Sequence, residues 1–216
     1  MKPLWLSILI MLIISGIVST SEANWLIFHE SELKGQILDI DTKQPIEGAV
    51  VVVVYTTGNP GIGTGQGSSN IGVGETLTDK EGKFLIPSYT TIIQPFSWKR
   101  PSSMIIFKPG YVSLDWSGYL RPKFFTGEET KDHEGTLSWS KESVYKYKIH
   151  RTGIVELPML KSREERMKIH VSPVEDSDHN SVWYFKKQKL FIKAIREEWR
   201  NLYGKDPSNL YRWEDK

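Results

Sequence analysis

The chain has 216 residues, with 28 Lys and Arg against 26 Asp and Glu, and a formal net charge of +2 at pH 7. It contains no cysteine, which excludes disulfide bonds, thiolate metal sites and cysteine nucleophiles. The balanced charge gives no overall attraction to nucleic acid or to an acidic membrane.

Residues 1–23 have the pattern of a secretory signal peptide. Lys2 precedes an apolar run over residues 4–18, and small residues then form a cleavage site ending at Ala23. As a helix this run would span about 22 Å at ~1.5 Å per residue, which is shorter than the ~30 Å core of a bilayer. We therefore expect a chain that begins at Asn24, has no stable membrane span, and is periplasmic or secreted. The alternative is a chain anchored by an uncleaved N-terminal helix.

Two strands are predicted before residue 55. Leu33–Asp39 alternates along its length as a half-buried strand does, and the polar residues 41–45 then favour a turn. Residues 50–54 are five valines, a run too short and too β-branched for a helix. Because such a run invites aggregation at an exposed edge, we predict a strand inside a sheet that is buried on both faces.

Residues 58–74 are rich in glycine and serine, with glycine at every second position from Gly61 to Gly67. This spacing matches neither a dinucleotide fingerprint nor a P-loop, and no helix pattern follows it. We therefore predict a surface loop inserted in the β-domain, with no nucleotide bound.

A hairpin is predicted next, with strands at residues 75–78 and 83–86. Asp79 and Gly82 suit the first and last positions of a type I turn between them. A further strand is expected at residues 104–107, and two more at 144–149 and 153–157.

Residues 113–143 form a second predicted insertion. It carries five aromatic residues among charged ones: Trp116, Tyr119, Phe124, Phe125 and Trp139. These side chains are expected either to pack on the β-domain or to form a partner surface.

The C-terminal part is predicted to be helical. Ser162 and Glu165 have the spacing of a capping box, and that helix should end before Pro173. A second helix is expected over residues 181–203, closed by Gly204. Its apolar stripe predicts docking on the β-domain through Phe191, Ile195 and Trp199, with Leu202 on the same face. The alternative is an amphipathic helix for a membrane surface or a partner.

Four short motifs occur in a fixed order between Leu33 and Tyr111. They are carried by Gly35, Ile37, Asp39, Pro45, Ile46, Gly48, Ala49, Thr78, Asp79, Gly82, Phe84, Pro109, Gly110 and Tyr111. In this order they resemble the carboxypeptidase regulatory-like domain of exported, bacterial-type proteins. The motif residues themselves have structural explanations, such as turn glycines and an aspartate that binds its own turn.

The resemblance implies a mainly β fold, a seven-stranded Ig- or transthyretin-like antiparallel β-sandwich. The long loop insertions and the C-terminal helical extension, which the residues themselves predict, depart from the minimal domain of that family. The sandwich would occupy residues 24–160 and the extension residues 161–216. The family is usually non-catalytic and implies structural support or binding.

The sequence contains no zincin helix motif and no nucleophile elbow. The stretches 132–134 and 176–179 hold Asp, Glu and His, but adjacent loop residues rarely face one ion together. We therefore predict no catalytic residues, no metal and no cofactor. The expected function is an exported module for structural support or for binding an envelope protein or glycan. An exported hydrolase with a loop-built site, or an accessory domain of an envelope transport assembly, remains as the alternative.

Overall fold

A computed structural model describes residues 26–60, 66–116, 123–140, 143–169, 171–173 and 186–207. The predicted signal peptide, and with it the choice between cleavage and anchoring, lies outside these residues. Twelve strands and three helices lie within them: β1 Ile27–Glu30, β2 Leu33–Asp39, β3 Val50–Pro60, β4 Gln66–Leu77, β5 Lys83–Ile86, β6 Tyr89–Ile92, β7 Trp98–Lys99, β8 Ser103–Phe107, β9 Leu114–Trp116, α1 Lys123–Thr126, β10 His133–Ser140, β11 Ser143–Ile149, β12 Ile154–Leu157, α2 Arg163–Lys168 and α3 Lys189–Tyr203.

Two sheets enclose the main core. One has the order β10-β11-β12-β2-β5, the other has the order β4-β3-β8-β9 with β7 also paired to β3, and β1 and β6 form a separate pair. The mainly β prediction is confirmed. The described residues form twelve strands, and β12 runs parallel to β2; the seven-stranded antiparallel topology stays a prediction. Sequence patterns missed the short strands β1, β6, β7 and β9, because two to four residues carry too little periodicity. They also missed β10, which lies in the predicted insertion at residues 113–143 and pairs with β11.

The valine run is buried on both faces, as its composition predicted. Val51 and Val53 face the core between the two sheets, while Val50, Val52 and Val54 belong to a second cluster under α3. The strand alternation therefore gives β3 two cores to fill, which explains why no polar residue interrupts the run.

The turn at residues 79–82 is confirmed, but the predicted hairpin is wrong. The Asp79 carboxylate accepts the backbone N–H groups of Glu81 at 3.0 Å and Lys83 at 2.8 Å, and Gly82 has a φ of +72°. However, β4 pairs with β3 and β5 pairs with β2. The turn therefore carries the chain from one sheet to the other, which a local turn signal does not distinguish from a hairpin.

The predicted loop at residues 58–74 is largely strand. β3 continues to Pro60 and β4 begins at Gln66, in one continuous ladder, and residues 61–65 lie outside the described part. A Cβ on Gly72 would lie 2.6 Å from the phenol oxygen of Tyr89. Glycine is present here because an aromatic ring from another strand covers the backbone, and not because the chain forms a loop.

Asp39 has the structural role expected of its motif. Its Oδ1 accepts the backbone N–H groups of Asp41 at 2.9 Å and Thr42 at 2.7 Å. Burial alone would raise the pKa of Asp39, but the hydrogen bonds from Thr42, Asp41 and Tyr111 hold that pKa below its usual range. The bond from Tyr111 joins the first and last motifs in space.

The capping box of the first C-terminal helix and the glycine that ends the second are both present in the structure. The capping box at Ser162 and Glu165 is formed in both directions, and α2 ends at Lys168, before Pro173. The second helix was expected to begin at residue 181. In the described part of the chain it begins at Lys189, and residues 181–185 lie outside that part. Gly204 closes it with a φ of +70°. In the described part of the chain, no helix is both long and apolar enough to cross a bilayer.

Helix α3 docks on the outer face of the β3 sheet, as predicted. Phe191 and Ile195 lie in the cluster with the outward valines of β3, and the Phe191 ring meets the Phe107 ring edge-on at 5.9 Å between centroids. Trp199 departs from the prediction, because it lies outside this cluster and lines a cleft while partly exposed.

The N-terminus of α3 is capped from the sheet. Its N-cap residue Gln188 makes no capping hydrogen bond through its side chain. Instead the Glu75 carboxylate, from β4, accepts the backbone N–H groups of Leu190 at 2.9 Å and Phe191 at 3.1 Å. Burial raises the pKa of Glu75 even though these bonds act against the rise.

We expect Glu75→Ala to reduce the free energy of unfolding by about 1–2 kcal/mol, because two N–H groups lose their acceptor. Glu75→Gln should cost less than half as much, since the amide keeps an oxygen and burial disfavours the charge. Urea unfolding of both variants checks this. Equal losses for the two substitutions would show that the charge, and not the hydrogen bonds, holds the helix.

Candidate functional site

The predicted aromatic partner surface is not formed by the residues that can be placed. Phe124 and Phe125 are buried in the main core, where the Phe125 ring lies 5.5 Å from the Phe84 ring. For these two residues the structure agrees with the alternative of packing on the β-domain, and not with a partner surface. The single helical turn α1 places the rings of Phe124 and Phe125 in the core. A segment this short has no periodicity from which their burial could be predicted. Tyr119 and the side chains of Trp116 and Trp139 lie outside the described part.

A polar pocket of about 330 Å³ lies between the end of β1, the β7–β8 connection and α1. Its walls combine a buried acid, three cationic side chains and two hydroxyl groups, and they come from distant parts of the sequence. The lining residues are Glu30, Lys99, Arg100, Pro101, Ser102, Lys123, Thr126 and Glu128.

Glu30 forms the floor of this pocket. It is only 7% exposed, and its Oε2 accepts the Ser102 hydroxyl at 3.0 Å and lies 3.2 Å from the Lys99 ammonium. Burial raises the pKa of Tyr55 to about 12, and the charges of Glu30 and Tyr89 add to the rise. The Tyr55 phenol therefore stays neutral. Within the described part of the chain, the ion-pair partner of the Glu30 carboxylate is Lys99.

The rim of the pocket carries unbalanced positive charge. Within the described part of the chain, neither Arg100 nor Lys123 forms a side-chain hydrogen bond or an ion pair. Glu128 is the second acid of the lining, and it also makes no ion pair with a described residue. With Glu30 neutralised by Lys99, two cations and one acid remain free to meet a ligand.

The exposed aromatic ring nearest in sequence to the pocket lies outside its lining. Trp98 precedes Lys99 in β7 and keeps 37% of its surface exposed. Its ring covers Gly58 of β3, where an added Cβ would clash with the indole. Consecutive residues of a strand point to opposite sides, so Lys99 lines the pocket and Trp98 does not.

A second cleft, of about 150 Å³, lies between α3, α2 and the β3 sheet. Its charged groups pair with each other, because the Arg166 guanidinium binds the Glu198 carboxylate, with an Nε–Oε1 distance of 2.8 Å. Its remaining walls are mostly apolar, and residues 174–185 and 208–216, which adjoin it in sequence, lie outside the described part. We interpret this cleft as part of the interface through which α3 packs on α2 and the β3 sheet.

The acidic side chains of the stretch at residues 132–134 are held by basic groups of β11 and the turn after it, and the Lys148 ammonium contacts both of them. Asp132 accepts the Arg151 backbone N–H at 2.9 Å, and Glu134 lies 2.9 Å from the Lys148 ammonium. The hydrogen bond from Arg151 lowers the pKa of Asp132, and the Lys148 contact lowers that of Glu134. Among the described residues, no three His, Asp or Glu side chains are placed to share a metal ion. The stretch 176–179 lies outside them.

Sequence patterns alone do not reveal the polar pocket. Glu30 and Ser102 are 72 positions apart, and the pairing of β1 with β6 that positions Glu30 depends on the tertiary fold. One signal was available. Phe28 and Glu30 alternate with exposed neighbours, so a carboxylate occupies an inward position of the strand. A charged residue at such a position requires a buried partner.

No protein-family model matches the chain, and no curated protein matches it. Among solved structures, a crystal structure of a 9R-lipoxygenase from Cyanothece aligns with 89% of this chain at 15% identity and a TM-score of 0.26. The chain spans 27% of that protein. A TM-score this low does not indicate a shared fold, so the alignment supports no functional conclusion.

Proposed function

We propose that the chain is an exported, non-catalytic binding module of the cell envelope that holds an acidic glycan in the polar pocket. The transthyretin-like form of the sandwich and the carboxypeptidase regulatory-like resemblance belong to this proposal. The single observation that carries it is that Arg100 and Lys123 form no ion pair with a described residue while they line a pocket above the buried Glu30 and Ser102.

Each part of the pocket suits one part of such a ligand. A guanidinium and an ammonium bind carboxylate or phosphate oxygens through charge-assisted hydrogen bonds. The hydroxyl groups of a sugar ring can meet Glu128 and Thr126 at the rim. A neutral or cationic ligand would leave Arg100 and Lys123 without a counter-charge.

The contact between Ser102 and Glu30 favours one second candidate, an exported hydrolase with a serine nucleophile and a carboxylate base. Ser102 is only 3% exposed, and its hydroxyl donates to a carboxylate that Lys99 already neutralises. A base in an ion pair is weak, and no histidine lines the pocket among the described residues. The binding function therefore fits the geometry better.

The double variant Arg100→Gln/Lys123→Gln should weaken binding of an oligogalacturonate about 10-fold or more, because each lost charged hydrogen bond contributes about 1.5–3 kcal/mol. Titration calorimetry measures this. The methyl-esterified, neutral oligosaccharide should bind the wild type no better than the double variant binds the acid.

The matched control is Lys80→Gln/Lys83→Gln, which removes the same charge outside the pocket lining. Equal weakening by both double variants would show that binding depends only on the overall charge of the protein, and would overturn the proposal. Cutting of the oligosaccharide by the wild type, abolished in Ser102→Ala, would establish the hydrolase instead.

A further inference from the structure

The Glu30 carboxylate presents one of its two oxygens to the polar pocket. Both side-chain contacts that Glu30 makes with described residues use Oε2, which accepts the Ser102 hydroxyl at 3.0 Å and lies 3.2 Å from the Lys99 ammonium. No described residue donates a hydrogen bond to Oε1. Oε1 is nevertheless not sealed off from solvent, and Glu30 lines the pocket. It is therefore the acceptor that a ligand meets at the floor of the pocket.

The orientation of this carboxylate is fixed by its partners. Ser102 is only 3% exposed, and the Lys99 ammonium also donates to the His29 carbonyl at 2.8 Å. Phe28, on the same face of β1 as Glu30, is buried in the main core. Because two donors hold Oε2 on a buried strand, Oε1 keeps one direction. Little conformational freedom is then lost when a ligand binds it.

A ligand in the pocket must bring a hydrogen-bond donor to Oε1. An accessible carboxylate oxygen is hydrogen-bonded by water in solution, and a ligand that fills the pocket excludes that water. Leaving an ionised oxygen without a donor costs more free energy than leaving a neutral one. Arg100 and Lys123 are themselves donors and need acceptors on the ligand. The ligand therefore combines acceptors for the rim with a donor for the floor.

The charges around the floor favour a hydroxyl as this donor over an ammonium. The Glu30 charge is already paired with Lys99, and two more cations, Arg100 and Lys123, line the same pocket. A ligand ammonium at Oε1 would bring a second cation close to Lys99, and like charges at such distances repel each other. A hydroxyl donates its hydrogen bond without adding charge.

The floor and the rim are close enough for one sugar unit to contact both. Ser102, which binds Glu30, is two positions from Arg100, and two residues span at most about 7 Å at ~3.3–3.6 Å each. The pocket volume of about 330 Å³ is also at the lower end of the ~300–1,000 Å³ range of ligand sites. The acid and the hydroxyl therefore belong to the same unit of the ligand.

We propose that Glu30 selects the ligand, and that the ligand is a glycan whose acidic unit keeps a free ring hydroxyl. That hydroxyl donates to Oε1 of Glu30, while the carboxylate of the same unit meets Arg100 and Lys123. This inference rests on the proposed function and names the feature of the glycan that the pocket recognises. O-acetylation of the hydroxyl removes the donor and leaves the ligand charge unchanged, so the acetylated glycan is rejected.

Titration calorimetry of the full chain with two forms of one oligogalacturonate tests this. One form has free ring hydroxyls, and the other carries O-acetyl groups on them with every carboxylate kept. The wild type should bind the acetylated form about 10-fold or more weakly, because a hydrogen bond to a charged group is lost.

Glu30→Gln separates the hydrogen bond from the bulk of the acetyl group. Its amide oxygen stays with Ser102 and Lys99, and the amide nitrogen then takes the place of Oε1, so a donor replaces the acceptor. This variant should bind the free form more weakly and bind both forms almost equally. The matched control is Glu128→Gln, at the rim of the same pocket, which should keep the wild-type ratio.

Two results would overturn this inference and leave the proposed function standing. One is equal binding of the two forms by the wild type, a comparison that needs no variant to fold. The other is a ratio that Glu30→Gln leaves unchanged, because the acetyl group would then act through its bulk alone. Loss of the ratio in Glu128→Gln but not in Glu30→Gln would assign the selection to the rim and would also overturn it. A wild type that binds neither form would overturn the proposed function itself, and this inference with it.

Discussion

Gly82→Ala should lower the free energy of unfolding by about 2–5 kcal/mol. A positive φ of +72° is expected to cost an alanine about 1–2 kcal/mol. The added Cβ would also clash with the Ile37 carbonyl oxygen, which is a backbone atom that cannot move aside. That oxygen accepts the Ile46 N–H at 2.9 Å, and the Ile37 N–H donates to the Gly82 carbonyl at 2.8 Å. The clash should therefore disturb β2 as well as the turn, adding about 1–3 kcal/mol.

Gly110→Ala is the matched control for this prediction. Gly110 also has a positive φ, of +84°, but its Cβ would meet nothing within 4 Å. It should lose only the conformational part, about 1–2 kcal/mol. Urea unfolding of the two variants compares them directly. If both lose the same amount, the close approach to Ile37 does not contribute, and the turn is merely a left-handed position.

The Gly82 turn also shows which part of the fold the sequence could predict. Asp79 and Gly82 are the first and last residues of one turn, and their chemistry fixes that turn whatever lies beyond it. The turn does not decide whether the two strands beside it pair with each other. That depends on which strand faces meet in the core. That information is spread over the chain, so the predicted hairpin failed while its turn held.

Glycines and aromatic residues carry the same lesson. Glycine and serine content made residues 58–74 resemble a loop, although much of the segment is strand and the ring of Tyr89, 17 positions after Gly72, covers that glycine in the folded sheet. For Phe124 and Phe125 the sequence left core packing and a partner surface open, and the fold buries both. By contrast, the valine run was correctly placed, because burial on both faces leaves a continuous apolar run that needs no knowledge of its neighbours.

The polar pocket was beyond sequence patterns for a related reason. It uses very short strands, β1 and β7, in which neither alternation nor propensity accumulates over enough residues. The residues involved are also ordinary in sequence. Arg100 attracts attention only once the structure brings it into a pocket where its side chain makes no ion pair with a described residue.

Phe191→Ala should destabilise the chain by about 3–5 kcal/mol, because a fully buried aromatic side chain leaves a cavity when it is removed. Phe191 is 0% exposed and packs against Phe107 and the outward valines of β3. Trp199→Ala should cost less, since Trp199 is partly exposed. Partial undocking of α3 would also uncover the valine face, so Phe191→Ala should aggregate more readily on heating.

Lys193→Ala is the control on the same helix. Lys193 is exposed and only 4.0 Å from Glu197 as an i, i+4 pair, so its loss should cost less than about 0.5 kcal/mol. Urea unfolding and light scattering during heating measure both effects. A Phe191→Ala chain with the midpoint and solubility of Lys193→Ala would mean that α3 does not hold the sandwich together. The apolar stripe of the helix would then exist for a partner outside the chain. With the expected result, the apolar stripe of α3 and the outward valines of β3 bury each other, and α3 is part of the fold.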